Sequence, residues 1–195
     1  WVLALGVTLW MTFGKKENVA PLPVASKIIP AGEKKATLTL ADGTEVHVEE
    51  ITARVLQEKG MNIEYRNGEI VYHKSEEETT EVVYNKLEVP RGGECMIKLD
   101  DGTKVWVNAE TKLKYPVVFV GDRREVVLEG EAFFDVAKNE KPFIVKTSFG
   151  DVWVLGTAFG ISAYASEPES YTTLVRGKVS VEREGMKPVV ILPGE

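Results

Sequence analysis

The chain has 195 residues, 44% of them hydrophobic and 28% charged, with a net charge of −6. Such a composition belongs to a folded domain, and the length allows one large β domain or two small ones. The acidic balance and the lack of a Lys/Arg cluster exclude a surface that tracks phosphates, so nucleic acid is not an expected partner. One cysteine, Cys95, excludes an internal disulfide framework, and with two histidines it makes no convincing zinc set.

Residues 1 to 13 (WVLALGVTLWMTF) carry no charge before Lys15 and Lys16. As a helix they reach about 20 Å, short of the roughly 30 Å hydrocarbon core. Residues 1–14 therefore read as the C-terminal part of a transmembrane helix clipped at its N-terminal end. A buried strand or core helix is one alternative. A signal-peptide core is another, disfavoured by Met11-Thr12-Phe13 as a cleavage context and by lysines on the wrong side. Taken alone, the lysines would leave the following domain in the cytoplasm. Residues 15–35 hold Pro21, Pro23 and Pro30 without a sustained period and read as a linker.

From Ala36 the pattern becomes an alternation rich in Val, Leu, Thr and aromatics, which predicts half-buried strands. We divide it into an N-terminal β segment, 36–88, and a β domain, 89–195. The best helical candidate is Ile51 to Lys59, stopped by Gly60. The run Ser75 to Thr80 (SEEETT) reads as a solvated loop rather than a metal site, because consecutive carboxylates point in different directions.

One motif occurs twice. Leu40-Ala41-Asp42-Gly43-Thr44-Glu45-Val46-His47-Val48 matches Leu99-Asp100-Asp101-Gly102-Thr103-Lys104-Val105-Trp106-Val107, and both read as β-hairpins around Asp-Gly. Facing residues of a hairpin share a face, so the loop length follows from asking which register keeps that face apolar. A two-residue loop sets Leu38 opposite His47 and Leu40 opposite Glu45. A three-residue loop, Ala41-Asp42-Gly43, sets Leu38 opposite Val46 and Ala36 opposite Val48, with a left-handed glycine making a bulge. Applied to the second copy, this pairs Ile97 with Val105 and Cys95 with Val107, so Cys95 becomes a small core hydrophobe rather than a reactive thiol.

A shorter pattern follows: Leu128-Glu129-Gly130-Glu131-Ala132-Phe133-Phe134, Val154-Leu155-Gly156-Thr157-Ala158-Phe159 and Val175-Arg176-Gly177-Lys178-Val179-Ser180-Val181. Each is an apolar strand, a glycine where the chain can bend, and a second apolar strand. The expected fold is all-β, with antiparallel hairpins stacked as a sandwich or a solenoid-like pile behind a truncated transmembrane helix. Trp106 and Trp153 either cap such layers or offer a sugar-stacking platform.

Catalysis finds no foothold. A nucleophile needs a base in reach and a group to orient it, and the only imidazoles are His47, outward on the first hairpin, and His73, beside Tyr72, Lys74 and Ser75. Neither belongs to a nucleophile elbow or a metal-binding pair, and no glycine loop cradles phosphate. Among 30 acidic residues nothing singles out a glycosidase pair. We assign no catalytic, cofactor-binding or metal residues and expect no enzyme and no cofactor.

The stretch from Val89 resembles the FecR-type anti-sigma factors, particularly those of Bacteroidetes. The resemblance rests on Pro90-Arg91-Gly92-Gly93-Glu94, Leu99-Asp100-Asp101-Gly102-Thr103-Lys104-Val105-Trp106-Val107-Asn108-Ala109-Glu110 and Leu113-Lys114-Tyr115-Pro116. It continues through Gly121-Asp122-Arg123-Arg124-Glu125-Val126, Gly130-Glu131-Ala132-Phe133-Phe134-Asp135-Val136-Ala137-Lys138, Pro142-Phe143-Ile144-Val145, Val154-Leu155-Gly156-Thr157-Ala158-Phe159 and Leu192-Pro193-Gly194-Glu195. The Ala36 to Val48 hairpin also looks like the segment that precedes this domain in such proteins.

The resemblance implies a single-pass inner-membrane protein whose cytoplasmic N-terminal segment holds an extracytoplasmic-function sigma factor. Its FecR domain then lies in the periplasm, an orientation that overrides the two-lysine hint, and reports the status of an outer-membrane transporter. The implied partners are the sigma factor, the signalling domain of a TonB-dependent receptor, and the membrane. Relatives carry a sigma-binding segment before the anchor and a small further domain after the Pro-Gly-Glu end, and neither is present in this sequence. A membrane-anchored carbohydrate-binding β domain is the alternative reading, supported if Trp106 and Trp153 are exposed and coplanar. An unrecognised hydrolase is the third.

Overall fold

The computed structural model describes residues 33–51, 56–74 and 82–193. The expected membrane helix, most of the linker and the loop Ser75 to Thr80 lie outside them, and among the described residues no helix is long and apolar enough to cross a membrane. Ala31–Glu195 forms one compact unit.

Alternate residues of a strand point to opposite faces, so the alternating sequence folds into strands with one buried side. In chain order they are β1 (Thr37–Thr39), β2 (Glu45–His47), a single helical turn α1 (Val48–Ile51), β3 (Leu56–Glu58), β4 (Met61–Arg66), β5 (Glu69–Lys74), β6 (Tyr84–Val89), β7 (Cys95–Lys98) and β8 (Lys104–Val107). There follow β9 (Thr111–Pro116), β10 (Arg124–Asp135), β11 (Phe143–Thr147), β12 (Gly150–Val154), β13 (Ala158–Ala163), β14 (Tyr171–Arg176), β15 (Val179–Glu182) and β16 (Val189–Ile191). They make two sheets. The first runs β2-β1-β6-β9-β10-β11-β12-β15-β16. The second runs β3-β4-β5-β7-β8-β10-β13-β14.

Strand β10 belongs to both. Its first half pairs with β11 and β9, and its second half, Gly130–Asp135, pairs with β13 and β8. Burial alternates strictly along its 12 residues, which one bent strand achieves by turning its inward side chains into the same core from both sheets. That core is continuous. Leu87, Leu113 and Phe143 enter it from the first sheet and Ile63, Ile97 and Phe159 from the second, and Phe134 stacks on Phe159 with centroids 5.3 Å apart.

The all-β expectation holds, with three corrections. Two pairings, β5 with β7 and β10 with β11, are parallel, so the sheets are not built of antiparallel hairpins alone. The three glycine-centred segments are not stacked arms of a pile but the places where the chain passes between sheets: Gly130 inside β10, Gly156 between β12 and β13, Gly177 between β14 and β15. Gly130 has φ +114 and Gly177 φ +99, and a Cβ on either would run into the side chain of Thr111 or Thr157. Those threonines staple the crossings: Thr111 Oγ1 accepts from Glu131 N at 2.9 Å and Thr157 Oγ1 donates to Lys178 O at 3.0 Å.

The third correction concerns Ile51 to Lys59. Ile51 belongs to α1, and Leu56–Glu58 is the strand β3. It pairs with β4 through Lys59-Gly60, whose φ values of 43 and 76 make the tight hairpin turn that matches strand twist. Nine residues are too few for an isolated helix to hold, and pairing with β4 wins.

The expected segments 36–88 and 89–195 share both sheets, through β5 with β7 and β6 with β9. Ahead of β1, Glu33 donates from its N–H to Gly92 O at 2.9 Å and accepts from Glu94 N at 2.8 Å.

Candidate functional site

The residues singled out by sequence do not converge. His47 is exposed on β2, with Nδ1 3.2 Å from Thr37 Oγ1, and His73 is exposed on β5 in the other sheet. Cys95 is 3% exposed and faces Val107, and burial pushes its thiol up to about 12, so it is a core residue. Trp106 lies on β8, 41% exposed and packed on Phe133 at 5.6 Å. Trp153 lies half-buried on β12, in the other sheet and against a different hollow. The two tryptophans therefore do not form the shared platform that would have supported the carbohydrate reading. Among the described residues, no three His, Cys, Asp or Glu side chains are placed to hold a metal.

What does converge is the string of turn motifs, and the residue that gathers them is one the sequence reading passed over. Arg124, at the start of β10, is buried, with its side chain 2% exposed. Its Nη1 donates to Asp101 Oδ2 at 2.6 Å and to Ala137 O at 2.9 Å, and its Nη2 donates to Lys141 O at 2.8 Å. The guanidinium lies 5.4 Å from the centre of the Phe143 ring. Asp101 Oδ2 also accepts from Thr103 Oγ1 at 2.7 Å, and that hydroxyl accepts from Ala137 N at 3.1 Å. A planar guanidinium with five donors suits this task, because it can bind a carboxylate and several carbonyls at once without losing its charge. The Asp-Gly-Thr turn, the Ala137-Lys138 segment and the loop before β11 are thus tied to one side chain.

Next to this knot, backbone bonds lock two further loops. Val136 N donates to Thr157 O and Asn139 N donates to Leu155 O, both at 3.0 Å. Gly156 allows that approach, since a Cβ there would sit 2.7 Å from Lys138 Cα. Between the loops lies a hollow of about 490 Å³, walled by Pro142, Trp153, Leu155 and Thr157 and rimmed by Lys138 and Lys178. No carboxylate and no imidazole lines it, and its titratable side chains are the two lysines. Functional groups concentrate on loops held by a rigid scaffold, and this end of the sandwich has that form. The signal in the sequence was the glycine pattern itself, whose three glycines mark the crossings.

Comparison with known proteins bears on the same residues. The family described as FecR protein matches residues 85–180. Two crystal structures of candidate anti-sigma factors from Parabacteroides distasonis ATCC 8503 are similar to the chain. One has a TM-score of 0.56 and 38% identity over 57% of this chain and 52% of its own, the other 0.54 and 39% over 55% and 51%. The chain spans about half the length of these solved relatives. No curated protein matches it.

Proposed function

We propose that this chain, which belongs to the FecR family through its 85–180 domain, is the envelope-side sensor and relay of a membrane-bound anti-sigma factor. In this reading it couples the status of an outer-membrane transporter to sigma-factor activity. The observation that carries it is the family match, which runs from β6 to β15 across both sheets, together with 38% and 39% identity to candidate anti-sigma factors. The family is regulatory rather than enzymatic.

The reading puts the domain in the periplasm on a single-pass inner-membrane anchor. An extracytoplasmic-function sigma factor is bound by a segment before Trp1, and the signalling domain of a TonB-dependent receptor is bound on the envelope side. Such a relay transmits only a difference in binding free energy between two states, so a partner that binds both equally switches nothing.

The test is a reporter for the cognate sigma factor in cells carrying the full-length protein. Deleting residues 36–195 is expected to change sigma-dependent transcription, and replacing His47 and His73 together with Ala is expected to leave the response intact. An unchanged signal on deletion, or a response lost with the two histidines, overturns the reading.

A further inference from the structure

We infer that the hollow at the crossing end of the sandwich is a docking site for one large apolar side chain carried on an acidic segment of a partner protein. Charge is the first ground. The chain carries a net charge of −6, yet the only charged residues lining this hollow are Lys138 and Lys178. Both are exposed, and neither forms an ion pair among the described residues. Asp135, which lines a neighbouring hollow together with Lys138 and Gly156, is already held by Arg176 at 2.9 Å. Two free ammonium groups on a rim select for carboxylates on whatever enters.

The second ground is the lining. Trp153, Pro142 and Leu155 make an apolar wall, and Leu155 is left 56% exposed on a turn with no neighbour to cover it. A volume of about 490 Å³ takes one aromatic or large aliphatic side chain with its flanking backbone. An apolar anchor in a pocket ringed by polar contacts is how interfaces concentrate their binding energy.

Rigidity is the third. The walls are fixed before any ligand arrives, by the Arg124 knot, by the two backbone bonds across the loops and by Gly156 and Gly177, which leave no room for a Cβ. A preformed site avoids the ordering cost that weakens binding by flexible loops. A small anion alone would leave the apolar wall uncovered, and a nucleic acid would need more than two cations in line. The binding itself does not depend on the relay reading; only the identity of the partner as an envelope protein rests on it.

The experiment uses the full 195-residue chain, labelled with ¹⁵N, and the capped peptides Ac-Gly-Asp-Phe-Asp-Gly-NH₂, its Phe→Ala form, and the form with Lys in place of both Asp. The expected result is saturable shifts of the Trp153 indole and of the amides of Leu155, Gly156, Gly177 and Lys178 with the first peptide. Binding should weaken by about tenfold with the Lys-flanked peptide and be lost with the Ala form. The double variant Lys138→Glu/Lys178→Glu changes two exposed residues and should unfold at the same temperature as the parent while preferring the Lys-flanked peptide. Equal binding of both charged peptides, shifts confined to the Trp106 face, or no shift at all would overturn the inference. So would shifts of the same resonances with protein concentration alone, which would mean that a second copy fills the hollow. A negative outcome here leaves the reporter result standing, and a negative reporter leaves the binding result standing.

Discussion

Asp42 and Asp101 occupy the same place in the same three-residue turn, and each accepts from the backbone N–H two residues on, Thr44 at 2.8 Å and Thr103 at 2.9 Å. The turns close identically: Gly43 N donates to Leu40 O at 2.9 Å and Gly102 N to Leu99 O at 3.0 Å. Beyond that the copies part. Asp42 is exposed, and the hydrogen bond from the Thr44 backbone holds its carboxyl below the usual range. The Asp101 side chain is 7% exposed and gives its second oxygen to Arg124. The first turn is fastened through its backbone, Ala41 N donating to Glu58 Oε1 at 2.8 Å. The motif therefore specifies a turn, and an arginine supplied from elsewhere in the chain turns one copy into a keystone.

This difference has its largest test in the aspartates. Asp101→Ala leaves a buried guanidinium without its counter-charge and is expected to cost about 3–5 kcal/mol in urea unfolding. Asp42→Ala should move the midpoint only slightly, and equal losses at the two sites would break the comparison. The glycines should behave alike. Gly43 and Gly102 have φ of +86 and +87, and an added Cβ meets nothing within 4 Å at the first and only Ala137 Cβ at 4.0 Å at the second. Replacing either with Ala should cost about 1 kcal/mol, the penalty of the left-handed region alone. A cost at Gly102 several times that at Gly43 would show that the keystone reaches the backbone too.

The fastening of the first turn can be probed by alkali. Glu58 Oε2 accepts from Asn85 Nδ2 at 2.7 Å, the same amide donates to Tyr72 OH at 2.9 Å, and Tyr72 and Tyr115 hydroxyls meet at 2.9 Å. Burial raises both phenols above their ordinary 10.0. A raised folded pKa means that the stability these groups contribute is complete below pH 10 and falls above it, where the unfolded chain ionises and the folded chain does not. The urea midpoint should begin to drop above about pH 10, and Tyr72→Phe should reduce the slope. The smallest effect is expected at Cys95, which holds in the second hairpin the place that Ala36 holds in the first. With its thiol pushed up to about 12, it should resist a disulfide reagent at pH 8 and react fully on unfolding.

Local geometry was legible from the residues and long-range geometry was not. Leu38 opposite Val46 and Ile97 opposite Val105 follow from keeping one face apolar across a short loop, and the fold has both. Asn67-Gly68, with φ of 53 and 83, joins β4 to β5, and its Asn-Gly pair was a signal in plain view. Lys59-Gly60 carries no such chemistry at its first position, and helix was the natural misreading. Arg124 could not be read, because a buried charge is recognised by partners that only the fold brings near: Asp101 comes from the β7–β8 turn, and Ala137 and Lys141 from the segment between β10 and β11. The glycine pattern was visible while its meaning was hidden, since a sheet crossing depends on which strands lie on either side.

The sharing of β10 between the sheets has a consequence for how this domain can move. Separating either sheet from its neighbours removes half of the strand that the other sheet needs, so neither can open while the other stays native. Amide exchange in β9, β10 and β13 should then report a single cooperative opening at the full unfolding free energy. A body without an internal joint delivers displacement undiminished from one end to the other, and in a relay built on it the bistable element has to lie outside β10 and its neighbours.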